Sequence, residues 1–557
     1  SSGNGNDFTS SGLTAADQVP DTPTPNANSA VGNRATLMSI QDGSPTMSEG
    51  NTRFSNTGST RIQRTTNQPL VGKTYWEVLV NNATQNTAGV SSDQISIMTN
   101  DTFYNQTTLV AGFDNANFYY DGSYDTYSQP SATQRWMFAY DADTGELWSG
   151  VNGTWHNSGD PAAGSGEVAT LSTSYKWFPF IGGKSNADQQ IIWGASNMSH
   201  TVPSGFTADL STYRQPDPQV ENPSEYFHTQ LYTGNGSSGH SITNNAQAGD
   251  FQPDWLIIAP RSNGDHHQVF DAVRGTTSRI QTNQADPATV DSPALITFES
   301  NGFDLDTTDV NYNGSSRTYA AWQWKANGSG SSNEDGSITS TVSADTTAGF
   351  SIVQYEGTGS NATIGHGLGV APKWIIIKDF DNTESWVVGL DALGFTKNLF
   401  LNLNNAVQTS STIWNDTAPT SSVFSIGTSD GVNKTATHIS YCFAEVEGFS
   451  KFGTYEGNSN SNGTFIYTGF RPAWITLKEV DNADDWVIYD NKRDPINESD
   501  TVLRMDSNAS EYSGSGREID ILSNGFKIRT SNATINASNT FAYFAFAEFP
   551  FKYANAR

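Results

Sequence analysis

Few side chains in this sequence of 557 residues have the types and spacing that catalysis requires. His266 and His267 are the only adjacent histidines, and a metal or acid–base role competes there with a polar turn, which we favour. The sequence has no nucleophile elbow, no His-Glu-x-x-His motif, no phosphate-binding glycine loop and no cysteine cluster. We therefore predict that the protein is not an enzyme and uses no cofactor or metal. A polysaccharide depolymerase with paired carboxylates is the enzymatic alternative.

Oxygen-rich turns and aromatic rings offer two weaker kinds of binding site. The turns 379–382 and 481–485 carry aspartate and asparagine oxygens, which calcium prefers, but ordinary turns use the same residues, and we favour the turn. Trp148 and Trp155 flank a glycine-bearing turn and would stack on a sugar if they were exposed, whereas we favour core packing. The single cysteine, Cys442, lies in an apolar run and is predicted to be a buried core residue.

The sequon Asn-x-Ser/Thr occurs 16 times in the sequence. Attached glycans would cover the surface, whereas the abundance of Asn, Ser and Thr explains the same count in an unmodified protein. Both interpretations stay open. The candidates for glycosylation in predicted turns are Asn82, Asn152, Asn235, Asn313, Asn327, Asn361, Asn433, Asn462, Asn508 and Asn532.

The composition restricts the partners. The net charge is −28, although only 15% of the residues are charged, so the surface is mostly neutral with an excess of carboxylates. Such a surface repels phosphate backbones and anionic lipids, which argues against nucleic-acid binding. No stretch of 18 apolar residues occurs, so we predict no membrane span.

A repeat in the C-terminal half indicates the elements that hold these residues. The segments Pro253–Ile258, Pro372–Ile377 and Pro472–Leu477 share a Pro-x-Trp frame, and a second apolar run follows each after an Asn-bearing turn. This pattern predicts a β-hairpin in each repeat. Each repeat opens with a Tyr-x-Gly sequence and closes on an aromatic strand. We therefore predict three β-sandwich repeats at 222–330, 348–448 and 449–557, arranged in a row with a separate core each.

The N-terminal half has different markers, namely a Tyr75-Trp76-Glu77-Val78 strand, the run 136–141, the segment 144–155 and a Trp177-Phe178-Pro179-Phe180 strand. This order resembles the SPRY domain, a bent, concanavalin-like β-sandwich. The resemblance implies a sandwich over residues 35–215. It supports a fold, not a ligand.

One polar segment precedes the predicted domains, and another lies between the first two repeats. Residues 1–34 are rich in Ser, Gly, Asn and Pro and predict an extended arm, and residues 326–347 predict a flexible linker. We expect the arm to pair with a neighbouring copy of the chain through strand addition.

The whole chain resembles tail-fibre and appendage proteins of marine phages, on the strength of Asn6–Thr9, Asp21–Thr24 and the tail Phe546–Arg557. The resemblance implies a virion or extracellular structural role. We predict an all-β protein of tandem jelly-roll or concanavalin-like sandwiches that self-assembles into a fibre or a glycosylated filament. A glycan-binding adhesin that recognises cell-surface carbohydrate is the alternative.

Overall fold

The computed structural model describes residues 35–553 except for 39–45, 49–50, 59–60, 66–67, 83–84, 94, 96–107, 212–213, 245–249 and 515. The predicted arm 1–34 lies outside the described residues. The chain divides into two compact units, Ser1–Pro216 and Asp217–Arg557. Antiparallel strands dominate both, so the all-β prediction is confirmed.

The first unit is a sandwich of two antiparallel sheets. One sheet has the order β1-β4-β14-β6-β7-β8-β9, and the other has the order β12-β11-β10-β5-β15-β3-β2, with β13 beside β11. The strands are β1 Leu37–Met38, β2 Thr46–Ser48, β3 Arg53–Asn56, β4 Arg61–Thr65, β5 Lys73–Asn82, β6 Asn86–Ser92, β7 Val110–Asp114, β8 Asn117–Tyr120, β9 Ser123–Thr126, β10 Arg135–Asp141, β11 Glu146–Val151, β12 Thr154–Trp155, β13 Ala169–Thr170, β14 Trp177–Gly183 and β15 Ala187–Ile192.

Aromatic residues on alternating positions fill the core of this sandwich. Trp76 on β5 and Phe138 on β10 are cross-strand partners, and their rings stack with centroids 5.2 Å apart. Both side chains are fully buried. The predicted Tyr-Trp-Glu-Val strand is therefore central in its sheet, where alternation places Trp76 in the core and Glu77 on the other face.

The second unit contains the three repeats, which we call modules 1, 2 and 3. Each pairs a larger sheet with a smaller one, and the smaller sheets are β17-β23-β22, β28-β33 and β36-β41-β40. Module 1 has β16 Phe227–Thr233, β17 His240–Thr243, β18 Trp255–Pro260, β19 Gln268–Asp271, β20 Ser278–Gln281, β21 Thr289–Val290, β22 Ile296–Glu299, β23 Gly302–Leu305, a helix Val310–Asn313 and β24 Thr318–Trp324.

Modules 2 and 3 follow a similar order, except that module 2 begins with two additional strands and has a helix where module 1 has β22. Module 2 has β25 Ser331–Asn333, β26 Ser340–Asp345, β27 Phe350–Glu356, β28 Ala362–Gly365, β29 Trp374–Asp379, β30 Val387–Leu390, β31 Lys397–Phe400, β32 Gln408–Thr409, a helix Ser411–Trp414, β33 Val423–Ile426, a helix Asp430–Asn433 and β34 Thr437–Phe443. Module 3 has β35 Ser450–Glu456, β36 Phe465–Tyr467, β37 Phe470–Glu479, β38 Trp486–Asp490, β39 Leu503–Arg504, β40 Ile519–Leu522, β41 Gly525–Ile528, a helix Ala533–Asn536 and β42 Thr540–Pro550.

The three modules do not have separate cores in a row, so that part of the prediction is wrong. The first strand of each hairpin is buried on both faces. On β18, Leu256 and Ile258 face the small sheet of module 1, whereas Trp255 and Ile257 belong to a core cluster that also contains Trp374 and Trp474. Each module keeps its two-sheet sandwich, and the larger sheets add a second, shared core between the modules.

The predicted linker 326–347 is largely structured. Its residues form β25 and β26, and β26 pairs with β27 over six residues, from Ser340 opposite Tyr355 to Asp345 opposite Phe350. Val342 on β26 is buried in the core of module 2. A strand made mainly of Ser, Thr and Ala therefore forms here because one apolar side chain, Val342, packs into the core.

A buried asparagine in each short helix explains the repeated Tyr-x-Gly sequence. In module 1, Tyr232 Oη donates to the carbonyl of Tyr312, and Asn313 Oδ1 accepts from the backbone N–H of Asn235. Modules 2 and 3 repeat both bonds with Asn433 and Asn536. A Cβ on Gly234 would lie 2.3 Å from the carbonyl oxygen of Gly314, so only glycine fits.

Within the described residues, the structure contains no helix of the length and apolarity that crossing a membrane requires.

Candidate functional site

The three modules contact one another head to tail around the shared core. Trp255 of module 1 stacks on Tyr441 of module 2 with ring centroids 4.5 Å apart. Trp374 of module 2 meets Phe544 of module 3 at 4.3 Å, and Trp474 of module 3 meets Trp322 of module 1 at 6.2 Å. Each hairpin Trp thus contacts the closing strand of the next module, and the third contact returns to module 1. A head-to-tail contact of this kind closes into a ring.

The boundary between modules 1 and 2 contains a buried ionic triad, Asp271, Arg274 and Tyr441. Tyr441 Oη donates to Asp271 Oδ2 at 2.8 Å, and Arg274 Nε donates to the same oxygen at 2.6 Å. The ion-paired side chains are at most 1% exposed. Burial and the Asp271 carboxylate raise the pKa of Tyr441 well above its ordinary value, so the phenol stays protonated as a donor.

The boundary between modules 3 and 1 repeats this arrangement. Trp322 Nε1 donates to Asp490 Oδ2 at 3.1 Å, and Arg493 pairs with the same oxygen at 2.5 Å with neither side chain exposed. Arg261 adds a bidentate pair to Glu511, with both distances 2.8 Å. This boundary joins the first and last modules and is the most ionic of the three.

The boundary between modules 2 and 3 is apolar at the same position. Asp271, Leu390 and Asp490 are equivalent, because they pair with Trp255, Trp374 and Trp474 in their hairpins. Leu390 is buried in the shared core, as is Phe544, the residue equivalent to Tyr441.

Two buried lysines connect later modules to earlier ones. Lys378 Nζ donates to the carbonyl of Ala285 in module 1, and Lys478 Nζ donates to the carbonyl of Asn404 in module 2. Burial lowers the pKa of each amine to about 8. Each lysine also donates to a carbonyl on its own strand, and it holds two modules together instead of facing a substrate.

The two adjacent histidines do not form the predicted polar turn together. His267 is fully buried at the position that Trp386 and Trp486 occupy in the other modules, and its ring lies near Trp322. Burial lowers its pKa to about 3, so the ring is neutral at ordinary pH. His266 Nδ1 lies 2.8 Å from Asn283 Nδ2. In the described part of the chain no group of three or more His, Cys, Asp or Glu side chains has metal-site geometry.

The oxygen-rich turns use their oxygens internally. Asp379 Oδ1 accepts from the backbone N–H groups of Asp381 and Asn382 at 2.9 Å each. Asp481 Oδ2 accepts from the N–H of Thr540 at 2.8 Å. These are turn-stabilising contacts, as the favoured interpretation predicts.

The aromatic and cysteine candidates lie in packed surroundings. Trp148 is 1% exposed, and its Nε1 donates to the carbonyl of Ser165. Trp155 is half-buried and packs edge-on against Tyr75. Cys442 is fully buried, and burial raises its thiol pKa to about 12, which makes it unreactive.

Two of the candidate glycosylation positions are inaccessible, which corrects the prediction for them. Asn313 and Asn433 are 0% exposed, and their amides donate to loop carbonyls inside their modules. The exposed candidates are Asn82, Asn152, Asn235, Asn327, Asn361 and Asn508, whereas Asn462 and Asn532 are half-buried. For these eight positions, glycosylation stays a prediction.

The sequence analysis did not predict one aromatic pair, in which Tyr124 is exposed and Tyr119 is half-buried. Tyr119 and Tyr124 face each other across the β8–β9 hairpin, and Tyr124 is 61% exposed. The signal was the intervening Asp121-Gly122, a dipeptide that favours a two-residue hairpin turn and so fixes which residues lie opposite.

Comparison with solved structures returns matches that each cover 29% of this chain with a TM-score of 0.23. They are the SPRY domain of human HERC1, at 13% identity over 98% of that chain, and the TRIM65 PSpry domain, at 10% identity over 93%. Stonustoxin matches at 17% identity over 27% of its chain. No curated protein matches the sequence significantly.

A sequence family matches residues 222–550, which is more than half of the chain and takes in all three modules. Its description is "Domain of unknown function (DUF7483)". The ring of three modules around one aromatic core is therefore the structure of this domain, and the chain belongs to the DUF7483 family.

Proposed function

We propose that the protein is a non-enzymatic structural subunit of an extracellular or virion-surface fibre or filament. The observation that supports this most is the use of its ionisable side chains. The side chains of Asp271, Arg274, Asp490 and Arg493 are at most 1% exposed and are paired at module boundaries. Groups committed in this way stabilise one arrangement of modules and offer no open position for a substrate.

The ring of modules restricts how such a fibre can grow. Because the modules share one core, they do not extend as a rod along the chain. A fibre would therefore grow through contacts between copies, and the arm 1–34 is the segment we propose for that contact. The proposed partner is a second copy of the chain.

Electron microscopy and sedimentation of the purified full-length chain test this proposal. Regular fibres or discrete oligomers that grow with protein concentration are the expected result. A matched variant that lacks residues 1–34 is expected to stay monomeric. A full-length chain that sediments as a monomer at every concentration, with no fibres in micrographs, would contradict the structural role.

The alternative function is a glycan-binding adhesin. One observation favours it, namely the exposed Tyr124 beside the half-buried Tyr119, because a tyrosine ring on a surface suits the apolar face of a sugar.

A further inference from the structure

The β8–β9 hairpin presents four side chains on one face of the first unit. Asp121 and Gly122 have φ angles of 51° and 70°, as the tight turn requires. The resulting register places Tyr119 opposite Tyr124 and Asn117 opposite Thr126. Since residues two apart in a strand face the same side, these four side chains form one surface, which we call the tyrosine platform.

The other face of the hairpin anchors it to the sandwich. Phe118 is 2% exposed and packs edge-on against Phe113, with ring centroids 5.0 Å apart. Tyr120 Oη donates to the carbonyl of Thr170 at 2.9 Å. The platform therefore rests on a fixed support, and a ligand would not have to order the backbone beneath it.

The platform combines aromatic and polar groups. The rings of Tyr119 and Tyr124 are 5.4 Å apart at an angle of 37°. Next to them, Thr126 Oγ1 donates to Asn117 Oδ1 at 3.0 Å. That bond fixes the Asn117 amide, and no hydrogen bond among the described residues uses its Nδ2 group.

We propose that the tyrosine platform binds a carbohydrate, with one pyranose ring stacked on Tyr124 beside Tyr119. The C–H face of a sugar packs on an aromatic ring, and its hydroxyls bond to amide and hydroxyl groups at the ring's edge. Asn117 Nδ2 and the Tyr124 hydroxyl are the bonding groups here. This inference rests on the alternative function, the adhesin, and gives it a site.

Nearby charge selects the class of sugar. Asp121 and Asp125 are both exposed on the same hairpin, and the chain has a net charge of −28. A uronic or sialic acid would be repelled. The site therefore fits a neutral hexose or N-acetylhexosamine.

An array of immobilised neutral and acidic glycans, probed with the full-length chain, tests the site. We expect saturable binding to neutral pyranosides and weaker binding to acidic ones. Tyr124→Ala should reduce this binding at least tenfold, whereas Tyr124→Phe should keep most of it. Tyr512→Ala is the matched control, because Tyr512 is also exposed, at 44%, but lies in the second unit, and it should bind as wild type does.

Three results would overturn the proposal: no glycan bound by the wild type, preferential binding of acidic glycans, or unchanged binding by Tyr124→Ala. Loss of self-association in Tyr124→Ala would also overturn it, since the platform would then be a contact between copies. Asn117→Ala keeps both rings and should weaken binding, which supports the site even if Tyr124→Ala folds poorly. Micrographs of Asn117→Ala should match those of the wild type, so failure of the sugar site and failure of the fibre role are distinguishable.

Discussion

The boundaries that module 2 makes with its two neighbours solve one packing problem in different ways. Toward module 1, Asp271, Arg274 and Tyr441 form a buried ionic triad. Toward module 3, the equivalent side chains are Leu390, Leu393 and Phe544, and the contact is apolar. Replacing a buried ion pair by apolar residues of similar volume is often neutral or stabilising. The comparison therefore indicates that the triad serves to pack the two modules together and that apolar side chains can do the same. Its charges have no separate catalytic or binding role.

The largest expected loss of stability comes from removing the carboxylate of the triad while its other two side chains stay in place. In Asp271→Ala, the Arg274 guanidinium stays buried without its carboxylate, and Tyr441 loses its acceptor. Removing one partner of a buried pair costs about 3–5 kcal/mol. Denaturant unfolding followed by tryptophan fluorescence should show this loss in the free energy of unfolding.

The control for this variant converts one boundary into the other. The triple variant Asp271→Leu, Arg274→Leu, Tyr441→Phe copies the apolar arrangement around Leu390. We expect its stability to lie within about 1.5 kcal/mol of the wild type, since no charge is left unpaired. If the triple variant were as unstable as Asp271→Ala, the two boundaries would not be interchangeable and the comparison would fail.

A second difference between modules 2 and 3 predicts a pH effect. The backbone N–H of Trp386 donates to Asn402 Oδ1 at 3.0 Å, and the backbone N–H of the equivalent Trp486 donates to Asp506 Oδ1 at 3.1 Å. Burial and then the nearby Asp485 raise the pKa of Asp506 to about 7. The folded state therefore holds a proton that the unfolded state releases above about pH 4, and stability falls as the pH rises from about 4 to 7.

Asp506→Asn removes that proton and keeps the acceptor, as Asn402 does. We expect the variant to match the wild type near pH 4 and to be about 4 kcal/mol more stable at pH 7.5, since the pKa of Asp506 is raised from 3.8 to about 7 and each pKa unit corresponds to about 1.4 kcal/mol. Unfolding curves across this range measure the difference. The reciprocal variant Asn402→Asp should gain a pH dependence of the same sign. A constant difference between Asp506→Asn and wild type across the range would contradict the assignment.

Local pairing followed from the sequence, but the arrangement of modules did not. Trp255 and Trp374 begin their strands, Trp474 lies within β37, and all three strands form the predicted hairpins. Alternation along a one-sided strand would place polar residues between apolar ones, yet Leu256-Ile257-Ile258 is continuous. Continuous runs indicate burial on both faces, which was the available sign of a second core. Which surfaces meet across that core depends on pairings far apart in sequence, and no local pattern encodes them.

The functional residues divide in the same way. Cys442 and Trp148 are core residues, as we predicted. Asn313 and Asn433 matched a modification motif, but a motif carries no information about burial, and the fold uses them inside its modules. Tyr124 was within reach of prediction, since a two-residue turn sets the register of a hairpin unaided.

The smallest expected change in unfolding free energy concerns a hydrogen bond between modules that module 1 does not make. Trp386 Nε1 donates to the carbonyl of Gln281 in module 1 at 2.9 Å, whereas His267, the equivalent residue of module 1, makes no such bond. Trp386→Phe should cost about 1 kcal/mol more than Trp374→Phe, because the indole N–H of Trp374 has no acceptor and only ring size changes there. The two unfolding free energies give this difference directly. Equal losses in both variants would mean that the stability of the boundary between modules 1 and 2 depends on the volume of its aromatic rings. The absence of this bond at His267 would then not weaken the boundary between modules 3 and 1.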